Sequence, residues 1–502
     1  MAAGSMHGGL ERAADRFGDR PALYAGDRSW SFRELDALAN GFAAHLAAVG
    51  VGAGDRVVVM LTNRVEFVVV VHAVSKLGAA SVLLSPAWKA AEVEHALGLT
   101  GPVRAVADGA AVALLGARVA GGVTDVDAVR PAPAAAPPGP TLPVSAADEA
   151  VMVFSSGTTG LPKAVRHSHR SIGHAIGHWR DALGLTSDDR FQVATPPSHI
   201  LGLLNLLTAA SAGATVRLHA RFDLEELLRR VQTERVTLEM AVAPIAIAMA
   251  NLANLEDYDL SSLRYIMWGA TPVSETVARV VSERSGVRWL PAYGASEVPV
   301  IACNPVREPD RWRLDSAGLP PAGVELRVAD LASGAVLGPG ETGEIQVRSP
   351  SAMIGYLPEE ATRDAFADGW YRTGDVGWLE PEGWVHLTDR SKELIKVRGF
   401  QVAPAEIETV LLGHPAVLDC AVFGMPDERA GELPVAAVQV DPARPVTADE
   451  LQRLVADTLA TYKQLRHVVF VDAVPRLPSG KALRRQLRDE WVPVLAAREA
   501  GG

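Results

Sequence analysis

Short apolar runs alternate with amphipathic stretches along most of this chain, and that alternation restricts the fold more than any other feature. Ser31-Phe32-Arg33-Glu34 has the pattern of a capping box and opens an amphipathic helix toward Val49. Residues 57–61 read as a strand, 65–77 as a helix and 81–84 as a strand, a right-handed strand-helix-strand unit. The middle repeats the theme. Asp223 caps a helix to Glu234, strands are expected at 236–242 and 263–268, and Thr271-Pro272 starts a further helix with proline at its favoured first position. A parallel sheet in an α/β fold follows.

The texture then changes. Between Ala317 and Arg348, short alternating runs such as "GVELRV" and "GEIQVRS" suggest a small antiparallel β subdomain. After Asp389 come a helix following Pro404, strands at 417–423 and 435–440, and a capped helix from Thr447, a separate α+β domain of roughly 110 residues. The division expected is 1–389 and 390–502. "RPAPAAAPPGPTLP", from Arg130 to Pro143, reads as a surface connection.

A chain of 502 residues exceeds one compact core, and its net charge of −11 argues against a general nucleic-acid binder. Cys303 and Cys420 cannot build a disulfide framework. The N-terminus lacks an apolar signal core, and the apolar stretch at 65–84 is interrupted by Glu66, His72, Lys76 and Gly78. A cytoplasmic protein without stable membrane insertion is expected.

The stretch "SSGTTGLPKA", Ser155 to Ala164, directly follows the apolar run Val151-Met152-Val153-Phe154. Its glycines let backbone N–H groups approach an anion, its hydroxyls add donors and Lys163 adds a point charge, so the loop suits phosphate. It is not a Walker A loop, because Pro162 stands where that pattern has its second glycine. His167, His169, His174 and His178 follow, with no cysteine or acidic partner to complete a metal ligand set. A helix after the loop accounts for them better.

Five further stretches occur in order: "WGATP" (268–272), "AYGASE" (292–297), "YRTGD" (371–375), "DRSKELIKVRGFQVAPAEIE" (389–408) and "PSGKALRR" (478–485). With the loop they closely resemble the adenylate-forming superfamily of acyl-CoA synthetases, adenylation domains and luciferases, over essentially the whole chain. The resemblance implies a large N-terminal domain of two sheets plus a distorted β-barrel, and a small mobile C-terminal domain. It also implies two half-reactions. A carboxylate attacks the α-phosphorus of ATP to give acyl-AMP and pyrophosphate, and a thiol then displaces AMP.

Residue by residue, the resemblance implies that Ser155, Ser156, Gly157, Thr158, Thr159 and Gly160 form the phosphate loop. Thr158, Thr159 and Gly160 would wrap the β- and γ-phosphates beside Lys163. Tyr293 would stack on adenine with Gly294, Ala295 and Ser296 in the same loop, and Gly269-Ala270-Thr271 would line the base. Asp375 would accept from the ribose hydroxyls and Arg390 would reach the nucleotide. Glu297 would bind Mg²⁺, while Lys481 would bridge the carboxylate and α-phosphate during adenylation. Asp389 would be the hinge, with Arg398 and Gly399 along the pantetheine channel.

Met267, Trp268 and Val298 would wall the acyl pocket and imply a hydrophobic carboxylic acid; His199 would stand at the wall between that pocket and the nucleotide, with a satisfied core histidine as the alternative. Ser296 stands for the family's usual threonine and Ala164 for its usual glycine. The acceptor implied is CoA; the alternative is a separate carrier protein. A nucleotide-binding regulator with decayed catalysis is the reading from another class, and Lys481, Glu297 and Asp375 weigh against it.

Overall fold

The computed structural model describes residues 5–135, 144–155, 162–269, 275–390, 393–398, 400–427, 429–477 and 480–500. Two large sheets form the N-terminal part. One has eight strands, with Tyr265–Trp268, Leu238–Ala241, Arg190–Val193 and Thr215–Leu218 side by side and parallel. The other has seven: a parallel core that ends at Glu149–Ser155, then two antiparallel edge strands, Lys163–Ser168 and Gly355–Leu357. A third, five-stranded antiparallel sheet includes Glu325–Ala329, Gly343–Arg348 and Trp370–Leu379, and is the half-barrel. The C-terminal part is a five-stranded α+β unit built on Val417–Asp427 and Gly431–Val440, with the helix Pro404–Leu412 packed on it. An α/β body followed by a smaller α+β unit is the fold that the alternation predicts.

Helix Val65–Lys76 is buried at all but one position, as a helix that is apolar on every side should be. The polar residues that interrupt its sequence are each accommodated. His72 Nδ1 lies 2.8 Å from the carbonyl of Val68. Lys76, 1% exposed, is paired with Glu11 at 2.5 Å and Asp36 at 2.9 Å. Both acids come from the N-terminal helices, which fasten over the core through this ammonium. Among the described residues, no helix is long and apolar enough to cross a membrane.

One buried acid has no such partner. Glu239, in a central parallel strand, is 2% exposed; Gln192 Nε2 donates to its Oε2 at 2.5 Å, and its Oε1 accepts nothing among the described residues. Burial pushes its carboxyl up to about 8. The native state therefore keeps a proton that the unfolded chain loses near the ordinary carboxylate pKa. Stability present below pH ~4.5 is lost as pH rises through about 8. Glu239→Gln preserves shape and removes the titration. We expect it to raise stability at pH 8, on the order of 2 kcal/mol, with the gain shrinking toward pH 5. Urea denaturation midpoints at the two pH values measure this, and an equal effect at both would exclude a protonated Glu239.

Candidate active site

A cavity of about 570 Å³ opens between the N-terminal body and the C-terminal unit. Strand ends supply one wall, as open α/β sheets do where ligands bind. Tyr293 ends the strand Trp289–Tyr293, and its hydroxyl donates to Asp375 Oδ2 at 2.6 Å. Asp375 lies in Trp370–Leu379, 7% exposed, in register with Arg390 on the neighbouring strand. Gly294 follows Tyr293 and cannot be replaced without backbone movement, since a Cβ there would lie 2.2 Å from the carbonyl oxygen of Pro299. The loop folds back on itself, with the Ala295 N–H donating to the Val298 carbonyl at 2.9 Å.

The C-terminal unit supplies the opposite wall. Lys481 Nζ lies 3.3 Å from Glu393 Oε1, and both line the cavity. Arg484 pairs with Glu393 and, at 2.8 Å, with Glu408, so one acid bridges the lysine and a buried guanidinium. Gly480, at φ +84°, sets the turn that presents Lys481. Arg476 holds that turn through the Gly480 carbonyl at 2.8 Å and is itself paired with Asp419 at 2.7 Å. Asp389 also lines the cavity. Its backbone is in register with Val376 in the body, and its Oδ2 accepts from the Ala405 N–H, in the first turn of Pro404–Leu412, at 3.0 Å.

Of the residues singled out from sequence, the cavity thus gathers Trp268, Tyr293, Gly294, Asp375, Asp389 and Lys481. Ser156, Gly157, Thr158, Thr159, Gly160, Ala270, Thr271 and Gly399 lie outside the described residues. Ser155 and Lys163 are in register as the last described pair of the antiparallel strands Glu149–Ser155 and Lys163–Ser168. Gly269 follows the strand Tyr265–Trp268, with its N–H on the Ala241 carbonyl at 3.3 Å. Arg398 is exposed, at φ +49°.

Glu297, 7% exposed, is held away from the cavity lining. Tyr356 donates to its Oε1 at 2.7 Å, and its main-chain carbonyl accepts from the Met353 N–H at 2.7 Å. The Lys163 ammonium stands 5.2 Å from the centre of the Tyr356 ring. Sequence reasoning missed Tyr356 and Glu393. The aromatic hydroxyl in "IGYL" gives no sign of an acid 59 positions earlier.

The expected acyl wall divides. Strand alternation puts Met267 in the core between the two large sheets and Trp268 on the other face, edge-on to Trp289 with ring centres 5.3 Å apart. Both cannot line one wall. Val298 lies with Met267, and His199 starts the helix Ile200–Ala212, its imidazole kept neutral by burial. The histidine cluster also needs correction. A strand, Lys163–Ser168, follows the loop, and the helix begins only at His169. Among the described residues no group of three or more His, Cys, Asp or Glu could hold a metal ion.

The AMP-binding enzyme family matches residues 10–357, and the AMP-binding enzyme C-terminal domain matches 406–481. The chain is 37% identical over 505 residues to 4-coumarate–CoA ligase 5 of Oryza sativa subsp. japonica, covering 95% of this chain and 93% of that protein. It superposes on the o-succinylbenzoate CoA synthetase of Bacillus subtilis bound to its acyl-adenylate with a TM-score of 0.85 and 32% identity, over 96% of this chain and 98% of that one. An anthranilate CoA ligase in complex with anthranoyl-AMP gives a TM-score of 0.91 at 25% identity, with 98% of each covered. The chain belongs to the adenylate-forming superfamily of AMP-binding enzymes, in its acyl-CoA synthetase branch.

Proposed function

We propose that this protein is an AMP-forming ligase that joins an aromatic carboxylic acid to CoA. The observation that carries the reading is that two units present Tyr293, Asp375 and Lys481 to one shared cavity. In the first half-reaction an acid oxygen bonds to the α-phosphorus of ATP and pyrophosphate leaves. In the second, the CoA sulfur bonds to the acyl carbon, the thiol proton passes to solvent and AMP departs with the bonding electrons. The Tyr293 ring stacks on adenine, and its bond to Asp375 sets the carboxylate that receives the ribose hydroxyls before nucleotide arrives. Lys481, held at the cavity by Glu393, meets the charge that builds on the α-phosphate.

Glu297 has the chemistry for Mg²⁺. It is a buried hard oxygen donor with one oxygen taken by Tyr356 and the other free of hydrogen bonds among the described residues. Glu297 would hold the ion, and the chemistry it would supply is neutralisation of phosphate charge. The aromatic class is supported by the acids named for the relatives, 4-coumarate, o-succinylbenzoate and anthranilate, and by the buried apolar pair Met267 and Val298. The acceptor is CoA, reaching the site past Arg398 and Gly399, and the cytoplasm supplies it along with the reducing conditions that suit two buried free thiols.

Pyrophosphate release across a panel of acids tests the substrate class. Aryl and arylalkenoic acids should give the highest rates, with AMP and the thioester formed only when CoA is added. A preference for short aliphatic acids would overturn the aromatic assignment. Lys481→Ala should lower adenylation about 10³-fold, the scale of one charge-stabilising donor, while supplied acyl-AMP is still converted to thioester. Equal loss of both steps would remove Lys481 from its role. At Asp389, proline fixes φ and should trap the small unit in one orientation. Asp389→Pro should then keep pyrophosphate release and lose thioester formation, whereas unchanged overall turnover would rule out the hinge.

A further inference from the structure

We infer that His167 is a positioning residue for the Glu297 carboxylate, acting through the peptide that joins Ser296 to Glu297; this rests on the reading of Glu297 as the metal-binding acid. His167 is 0% exposed on the edge strand Lys163–Ser168, facing the same side as Val165. Its Nε2 lies 2.8 Å from the Ser296 carbonyl oxygen. That oxygen can only accept, so Nε2 carries the proton and Nδ1 is left to accept from the Ser171 hydroxyl at 3.2 Å. Ser171 is the third residue of the helix His169–Ala182 and shares its capping box with Ser168, so the helix start orients the ring from behind.

The carbonyl before Glu297 is held by His167, the carbonyl of Glu297 itself by the Met353 N–H, and its carboxylate by Tyr356. Two of these donors, His167 and Tyr356, come from the two antiparallel edge strands, and the third, Met353, lies two residues before one of them. Without His167 the peptide plane loses its fixed tilt, and the Ser296 carbonyl is left unpaired. The main chain at Glu297 is then fixed on one side only, by the Met353 N–H, and the direction in which it presents the carboxylate is less defined. An imidazole that cannot build a metal site of its own thus stands one peptide away from a metal-binding acid.

The test compares His167→Leu and His167→Gln, whose amide N–H can reach the place of Nε2, with Glu297→Gln as control. Three quantities are read: Mn²⁺ affinity in the presence of ATP from the electron paramagnetic resonance of free Mn²⁺, the Mg²⁺ concentration for half-maximal pyrophosphate release, and conversion of supplied acyl-AMP to thioester. His167→Leu should weaken Mn²⁺ about ten-fold and raise the Mg²⁺ requirement in step, leaving acyl-AMP conversion within about two-fold, and His167→Gln should restore most of the affinity. Unchanged metal affinity in His167→Leu, or metal binding and acyl-AMP conversion falling together in both variants, overturns the inference. Should His167→Leu not fold, His167→Asn replaces it, because its amide stops at the Nδ1 position and should behave as the leucine does. If Glu297→Gln leaves Mn²⁺ affinity untouched, the metal reading falls and this inference with it. If Glu297→Gln weakens the metal and His167→Leu does not, only the positioning role falls.

Discussion

The antiparallel return of Lys163–Ser168 along the edge of a parallel sheet is the constraint on which the site depends. A parallel strand would have carried the chain away into a crossover helix. The return instead makes a hairpin whose mouth holds Ser155 opposite Lys163, and whose outer edge accepts Gly355–Leu357 from a distant part of the sequence. That pairing places Tyr356 against Glu297 and the Lys163 ammonium over the Tyr356 ring. Ser155, Lys163, Tyr356 and the acid it holds thus share one small piece of sheet.

The opposite wall is built differently. Lys481, Glu393, Arg484 and Glu408 form a connected set of charges inside the C-terminal unit, with Glu393 as the shared acid. Each member belongs to that unit, so the partners that hold the lysine in place come from its own domain. Asp389 differs, since its backbone is in register with the body while its carboxylate caps a helix of the small unit. A single residue is thus fastened to both units, through its backbone on one side and its side chain on the other.

Local signals in the sequence were read well. Asp223 and Thr447 accept from the N–H groups three residues on, Ser31 and Glu34 complete a capping box, and the parallel strands fall within the apolar runs. Each depends only on neighbouring residues. Long-range pairings were not legible. Nothing near Tyr356, Glu393 or His167 reveals its partner, and "KAVRHS" gave no warning of a strand, because its histidine and serine fit a helix entry equally well. Met267 and Trp268 stand together in the wall segment that the resemblance marks, but a strand sends adjacent residues to opposite faces.

Glu239 has a further consequence in the proton balance of the whole chain. The formal net charge of −11 treats every carboxyl as ionised, yet a carboxyl with a pKa of about 8 is mostly protonated at pH 7, so the folded protein is about one charge less negative than that count. Unfolding at neutral pH exposes the group to water and sets its proton free. The heat absorbed on unfolding therefore includes the enthalpy with which the buffer takes up that proton, set against the protons that buried histidines such as His167, His169 and His219 gain on exposure, and Glu239→Gln shifts the difference between phosphate and Tris by this one group's share.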